Sequence, residues 1–208
     1  MSALCQCDLS IIIPVYNLER FLAPMLKSLK EQEGGYLVEH IFVLNNCTDN
    51  SEQVIRDSGL DCKILYEEKQ GCGNARNKGF EEATGEYIWF MDGDDWLLSN
   101  TAVKDALDKA NRENLSVLRI PYESKTFTRQ YFSMVWQYLL KREFVEEFRF
   151  PSFQPCEDDV YTANVLTKAG YNVHTYMAMP CLDRPLYYYN YLREGSNMWR
   201  VVLKGEKI

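Results

Sequence analysis

The first half of the chain alternates short apolar runs with stretches whose apolar residues recur every three or four positions. DLSIIIPVYN (residues 8–17) holds an unbroken, largely β-branched run that Pro14 ends. Such a run reads as a strand buried on both faces, the condition of strands inside a parallel sheet. After Asn17, the residues Phe21, Leu22, Met25, Leu26 and Leu29 recur at helical spacing, with Pro24 admissible only near the first turn. HIFVLNN (40–46) repeats the strand pattern, and TDNSEQVIRDSG (48–59) adds an acidic, cap-rich start, a helical stretch and a glycine stop. CKILYEE (62–68) predicts a third strand, GCGNARNKGFEEATG (71–85) a helix bracketed by glycines, and YIWFMD (87–92) a fourth strand. SNTAVKDALDKANREN (99–114) and SVLRIPYE (116–123) add an amphipathic helix and a further strand.

Strands alternating with helices of about ten residues predict an α/β fold with a mostly parallel, Rossmann-like central sheet flanked by helices, because parallel strands need crossover connections. The second half changes character. It predicts a long amphipathic helix over 132–148, a loop at PSFQPCEDD (151–159), a helix in VYTANVLTKAG (160–170) and an aromatic tail, PLYYYNYLREGSNMW (185–199). No repeat or linker divides the chain, and 208 residues suit a single domain whose second half packs on the first.

Composition narrows the function. A hydrophobic fraction of 46% and a charged fraction of 25% are those of a globular protein, neither disordered nor membrane-embedded. A net charge of -7 argues against nucleic acid as a partner, since phosphate neutralisation needs a basic surface. The start, MSALCQCDLSIIIPVYN, has no cationic region ahead of a long apolar run, and no stretch reaches the roughly 20 apolar residues of a membrane span, so a cytoplasmic location is expected. Seven cysteines, at 5, 7, 47, 62, 72, 156 and 181, form no C-x-x-C pair and read as free thiols in a reducing compartment.

Ligands of open parallel sheets bind at the carboxyl ends of the strands. That rule selects Pro14, Val15, Tyr16 and Asn17, then Asn45 with Asn46, residues 67–70, and the acids Asp92, Asp94 and Asp95 of DGDD. Clustered carboxylates suit a hard divalent cation, Mg²⁺ or Mn²⁺, and a cation held by only one or two of them completes its shell with water and substrate phosphates. A phosphorylated substrate is thereby expected, and Arg76 in GNARNKG is a candidate partner for a diphosphate. The plainer readings are a solvated surface turn for DGDD, a surface ion pair for Arg76 and a core position for Trp96. CEDDV (156–160) precedes a helix, where acids cap free N–H groups. Glu157, Asp158 and Asp159 cannot all cap, which leaves one as a candidate general base facing the cleft.

Taken together, DLSIIIPVYN, TDNS, GNARNKGFEEATGEYIWFMDGDD, CEDDVY and PLYYYNYLREGS resemble, in this order, the family 2 glycosyltransferases of GT-A fold, from about residue 8 to 197. The resemblance implies inverting transfer of a sugar from a nucleotide-sugar donor to a glycan or lipid-linked acceptor in surface-polysaccharide or glycolipid synthesis, with peripheral association at the inner face of the membrane as an option. It divides the domain into a nucleotide-sugar-binding half, 1–96, and an acceptor-side half, 97–208. By position it implies base and ribose contacts from Pro14, Val15 and Tyr16, an arginine near base and diphosphate in Arg76, and a D-x-D motif in Asp92, Gly93 and Asp94. Asp94 is the expected direct ligand of Mn²⁺ or Mg²⁺, Asp92 lies nearer the ribose or metal, and Asp158 is the expected base. Glu157, Asp95, Arg193 and Ser196 are accessory candidates, residues 187–191 belong either to a segment that closes over donor and acceptor or to a plain packed strand of tyrosines, and Trp136, Lys141 and Trp199 are either acceptor contacts or structural residues. One departure stands out: where relatives carry two aspartates before TDNS, this chain has Leu44, Asn45, Asn46 and Cys47, so Asn45 is expected to meet the N3–H of a uracil through its carbonyl. Two rivals are a non-catalytic nucleotide-sugar binder and a phosphohydrolase of the haloacid-dehalogenase kind, whose acids follow the first strand and not the fourth.

Overall fold

The computed structural model describes residues 6–124, 134–152, 157–172 and 174–190. The four apolar runs form β1 (Cys7–Val15), β2 (Val38–Leu44), β3 (Lys63–Tyr66) and β4 (Gly85–Phe90), with α1 (Leu22–Lys30), α2 (Ser51–Asp57) and α3 (Cys72–Glu82) between them. Pro24 falls in the first turn of α1, where its missing N–H has no intrahelical acceptor to lose. Then follow β5 (Trp96–Leu97), α4 (Ala102–Arg112), β6 (Val117–Arg119), β7 (Tyr122–Glu123), β8 (Tyr138–Lys141), α5 (Arg142–Val145), α6 (Glu157–Lys168) and β9 (Tyr187–Tyr188). The main sheet has the order β3-β2-β1-β4-β8-β6, and a small sheet the order β5-β9-β7. Among the main strands β3, β2, β1 and β4 are parallel, and β8 runs antiparallel to both its neighbours.

Alternation along β1 sends Ile11 and Ile13 to one face and Ile12 to the other. The first pair joins Phe42, Leu44 and Trp89 under α1 and α4, while Ile12 joins Val43, Ile88 and Phe90 under α3 and α6. All three isoleucines are fully buried. Each stabilises the fold by about 2 kcal/mol through removal of apolar area from water. Helix α3 lies especially close: a Cβ on Gly79 would stand 2.4 Å from Ile12 Cγ2 and 3.2 Å from Val43 Cγ2.

Two expectations are corrected. Pro14 does not end β1, which runs on to Val15 opposite Leu44. Ile12 accepts the Met91 N–H, so even-numbered residues of β1 face β4, and the missing N–H of Pro14 falls where pairing with β4 has stopped at Ile12. The long helix over 132–148 is replaced, among the described residues, by a 3₁₀ turn (Val135–Gln137), β8 and α5. Tyr138, Leu139 and Leu140 are all buried between β4 and β6. A strand apolar on both faces shows no period of two, and the open edge of β4 decides its conformation. No helix among the described residues is long and apolar enough to cross a membrane.

Candidate active site

The loops at the carboxyl ends of β1, β2 and β3 are held together by asparagines. Asn17 and Asn46 adopt left-handed backbone conformations, φ 51° and 57°, which asparagine tolerates better than most residues. Asn17 Oδ1 accepts the Thr48 N–H at 2.8 Å, and Val15 O accepts the Asn45 N–H at 2.9 Å. Asn45 itself is 3% exposed; its Nδ2 donates to the carbonyls of Glu67 and Lys69, and its Oδ1 accepts the Gly71 N–H at 2.8 Å. This corrects the expectation that Asn45 meets a base: the side chain is buried, and its amide is committed to tying its own loop to the one after β3. Cys47 is likewise turned inward, its thiol donating to Val15 O. Pro14 and Val15 are buried, so the cleft can be met there only by backbone, whereas Tyr16 is 52% exposed.

At the end of β4, Gly93 lets the acidic turn press against β1. A Cβ there would meet Leu18 Cδ1 at 2.6 Å and the Pro14 carbonyl at 3.4 Å. Asp92 and Asp94 are partly exposed and Asp95 is fully buried. Asp95 Oδ2 accepts the Tyr187 hydroxyl at 2.6 Å and Oδ1 accepts the Asn190 N–H at 2.7 Å. Burial, then the charges of Asp94 and Asp92, push its carboxyl well above the usual carboxylate range, against those two hydrogen bonds.

One face of α3 gathers the second acidic group. Gly73, Arg76 and Asn77 lie three and four residues apart and so share that face. Gly73 admits the segment before α6: a Cβ would stand 2.9 Å from Pro151 O, 3.0 Å from Phe150 Cβ and 3.3 Å from Glu157 Cγ. Asn77 fastens the same segment with a reciprocal pair, donating to Phe150 O at 2.9 Å and accepting the Phe150 N–H at 2.8 Å. The Phe150 ring stacks on Tyr161 at 3.9 Å and lies 5.3 Å from the Arg76 guanidinium carbon. Sequence reasoning passed over Asn77 and Phe150; the G-x-x-R-N spacing was the available signal.

Arg76, 2% exposed, then bridges the two acidic groups. Its NH2 donates to Asp92 Oδ1 at 2.8 Å, its NH1 donates to Asp158, and Glu157 Oε1 lies 3.7 Å away. One guanidinium thus joins Asp92 to Asp158. Burial, with the negative charges of Asp92 and Glu157 added, pushes the Asp158 carboxyl up to about 7 although Arg76 opposes the shift. Near neutral pH such a group both accepts and releases a proton.

Other candidates fall elsewhere. Trp136 is buried and stacked on Tyr187 at 4.7 Å, a core position with no face for an acceptor. Lys141 pairs in register with Tyr87, at the opposite end of β4 from the acids. Arg193, Ser196, Trp199 and Tyr191 lie outside the described residues. A cavity of about 280 Å³ lined by Tyr36, His40 and Asp61 sits at the far end of β2 and shares no residue with the acidic cleft. Among the described residues no three His, Cys, Asp or Glu side chains are grouped to hold a metal ion by themselves. Asp92 and Asp94 therefore fit a cation only of the kind that takes most of its ligands from water and substrate phosphate.

A family model described as Glycosyl transferase family 2 matches residues 10–168. The chain is 36% identical over 92 residues to the glycosyltransferase GlyA of Streptococcus pneumoniae serotype 4, a match covering 43% of this chain and 13% of that protein. It is 31% identical over 116 residues to the poly(ribitol-phosphate) beta-N-acetylglucosaminyltransferase TarS of Staphylococcus aureus, covering 53% of this chain and 20% of TarS. The crystal structure of TarS 1-349 in complex with UDP-GlcNAc superposes with a TM-score of 0.77 at 23% identity, over 92% of this chain and 60% of that one. The mannosyltransferase PcManGT of Pyrobaculum calidifontis, in complex with GDP-Man and Mn²⁺, superposes with a TM-score of 0.70 at 16% identity, over 94% of this chain and 60% of that one. The chain thus spans a fifth or less of the length of these two curated relatives.

Proposed function

Because the chain belongs to glycosyl transferase family 2 and has the GT-A fold, we propose that it moves a sugar from a nucleoside-diphosphate donor, a UDP-sugar before others, to a hydroxyl of a glycan or lipid-linked acceptor, with inversion. The observation that carries this reading is the Arg76 bridge, which sets a near-neutral carboxyl, Asp158, beside an acidic turn suited to a diphosphate and its cation. The haloacid-dehalogenase alternative loses its footing, since the acids follow β4 and the family match is to transferases.

Inversion needs a base on the face of the sugar opposite the leaving group. In this reading Asp158 takes the proton of the acceptor hydroxyl as that oxygen attacks the anomeric carbon. The bond from that carbon to the diphosphate oxygen breaks with its electron pair on the diphosphate, and the proton ends on Asp158. A Mn²⁺ or Mg²⁺ ion, held by Asp94 and Asp92 when bound, would neutralise charge on the diphosphate. Arg76 holds Asp92 and Asp158 in fixed relation and lowers the electrostatic cost of a diphosphate arriving between acids. Tyr16 offers a ring face to the base, and the backbone at Pro14, Val15 and Gly93 lines the donor side. Surface-polysaccharide or glycolipid synthesis at the inner face of a membrane is the setting this chemistry suits.

Heat stability tests the donor site: UDP, or another nucleoside diphosphate of a panel, should raise the melting temperature only with Mn²⁺ or Mg²⁺ present. A flat response across the whole panel removes the donor-site assignment. Asp158→Asn should keep nucleotide binding and lose about a hundred- to ten-thousandfold of the transfer rate. The second reading, a non-catalytic nucleotide-sugar binder, keeps the same donor site without the transfer step. Tight binding of a sugar nucleotide by the unmodified protein, with neither transfer nor slow hydrolysis, would decide for it.

A further inference from the structure

Asp95 is the acid of DGDD that does not reach the cleft. Its two oxygens take the Tyr187 hydroxyl and the Asn190 N–H, and the Tyr187 oxygen in turn accepts the N–H of Asp92 at 3.1 Å. The Asp95 N–H closes the turn on the Asp92 carbonyl at 3.1 Å. The Tyr187 ring is locked, stacked on Trp136 at 4.7 Å and 7° and packed against Trp89 at 6.3 Å, while Trp89 Nε1 donates to Trp136 O at 2.8 Å. Pairing of β5 with β9, Trp96 to Tyr188 and Leu97 to Tyr187, holds the same partners from the other side of the turn.

We propose that Asp95 is a positioning residue of the donor site: through the Tyr187 hydroxyl it fixes the backbone from which Asp92 and Asp94 project, and ties that turn to β9. The role rests on the reading of Asp92 and Asp94 as the groups that meet cation and diphosphate. A group that accepts on both sides suits the place. Both oxygens of a carboxylate accept, so it receives an O–H on one side and an N–H on the other. Either orientation of an asparagine would turn an NH₂ toward one of these donors and leave a buried hydrogen-bonding group unmatched. A residue needed for packing alone would not be a fully buried acid one and three positions from two like charges.

The test uses the full chain and two variants, Asp95→Asn and Tyr187→Phe, the second of which keeps the stacked ring and removes only the hydroxyl. Calorimetry should show Mn²⁺-dependent UDP affinity falling about 10- to 100-fold in each, the usual effect of losing a group that orients a metal ligand. The double variant should lose less than the two losses combined. A lowered melting temperature with unaltered metal-dependent affinity in the folded protein makes Asp95 merely structural and overturns the proposal. Should Asp95→Asn fail to fold, Tyr187→Phe carries the same test. In the unmodified protein, Mn²⁺ with UDP should slow amide exchange at Asn190, and unchanged exchange also overturns it. If the unmodified protein shows no Mn²⁺-dependent UDP binding, the donor-site reading falls and this role with it; if it does and the variants match it, the positioning role alone falls.

Discussion

Arg76 carries one charge and faces three acids, Asp92, Glu157 and Asp158, so carboxylates outnumber the guanidinium around it. Burial and these like charges hold the Asp158 carboxyl up at about 7, which has a direct kinetic consequence. A base works only when ionised, so kcat/KM for sugar transfer should rise with pH through about 7 and level off above it. A pH–rate profile checks this, and the rising limb should vanish from the residual activity of Asp158→Asn. Asp92, Asp94 and Asp158 were each legible in the sequence as acids at the end of a strand or the start of a helix. Their union through Arg76 was not, because the Arg76 contact with Asp158 closes 82 positions of chain and depends on a backbone approach at Gly73 that no local pattern announces. Asn45 failed for a related reason: an asparagine at a strand end looks available until a neighbouring loop has buried it and taken both its N–H donors.

Helix α3 does two jobs with two glycines on different faces. Gly73 brings the segment before α6 to Arg76, and Gly79 lets the helix lie against Ile12 and Val43. Replacing Gly79 with alanine puts a methyl 2.4 Å from Ile12 Cγ2, so the helix must lift from the sheet. Gly79→Ala should cost about 1–3 kcal/mol of stability, as overpacked cores do, despite alanine's better helix propensity. Urea unfolding measures it; a variant as stable as the parent would mean that the helix slides at no cost. Most elements of the first half were legible, since runs such as SIIIPV and HIFVL have a length and composition that only a buried parallel strand explains well. The stretch YLLK was not, because three consecutive buried apolar residues fit a helix as readily as a strand until the exposed edge of β4 is known.

The end of the sheet opposite the cleft is fastened by one acid. Glu39 on β2 accepts hydrogen bonds from Ser10 on β1, from both the backbone and hydroxyl of Thr84 just before β4, and from Lys63 on β3. Burial alone would raise its carboxyl, but these bonds win and hold it down at about 2. Its folded pKa lies below the ordinary glutamate value of 4.5, so its stabilising effect is complete above that value and is lost as pH falls from there toward 2. In urea titrations the stability gap between the parent and Glu39→Gln should therefore be constant at neutral pH and narrow between about pH 4.5 and 2. A gap that stays constant through that range would show that folding does not shift the Glu39 carboxyl.

The order β3-β2-β1-β4 has a further meaning for how the molecule comes into being. The most apolar strand, β1, is made first but gains its second neighbour only when residues 85–90 have been added. Until then a growing chain carries β1 with one edge open, the kind of edge that recruits other chains. A fold whose central strand waits for a partner made so much later should refold from dilute solution better than from concentrated.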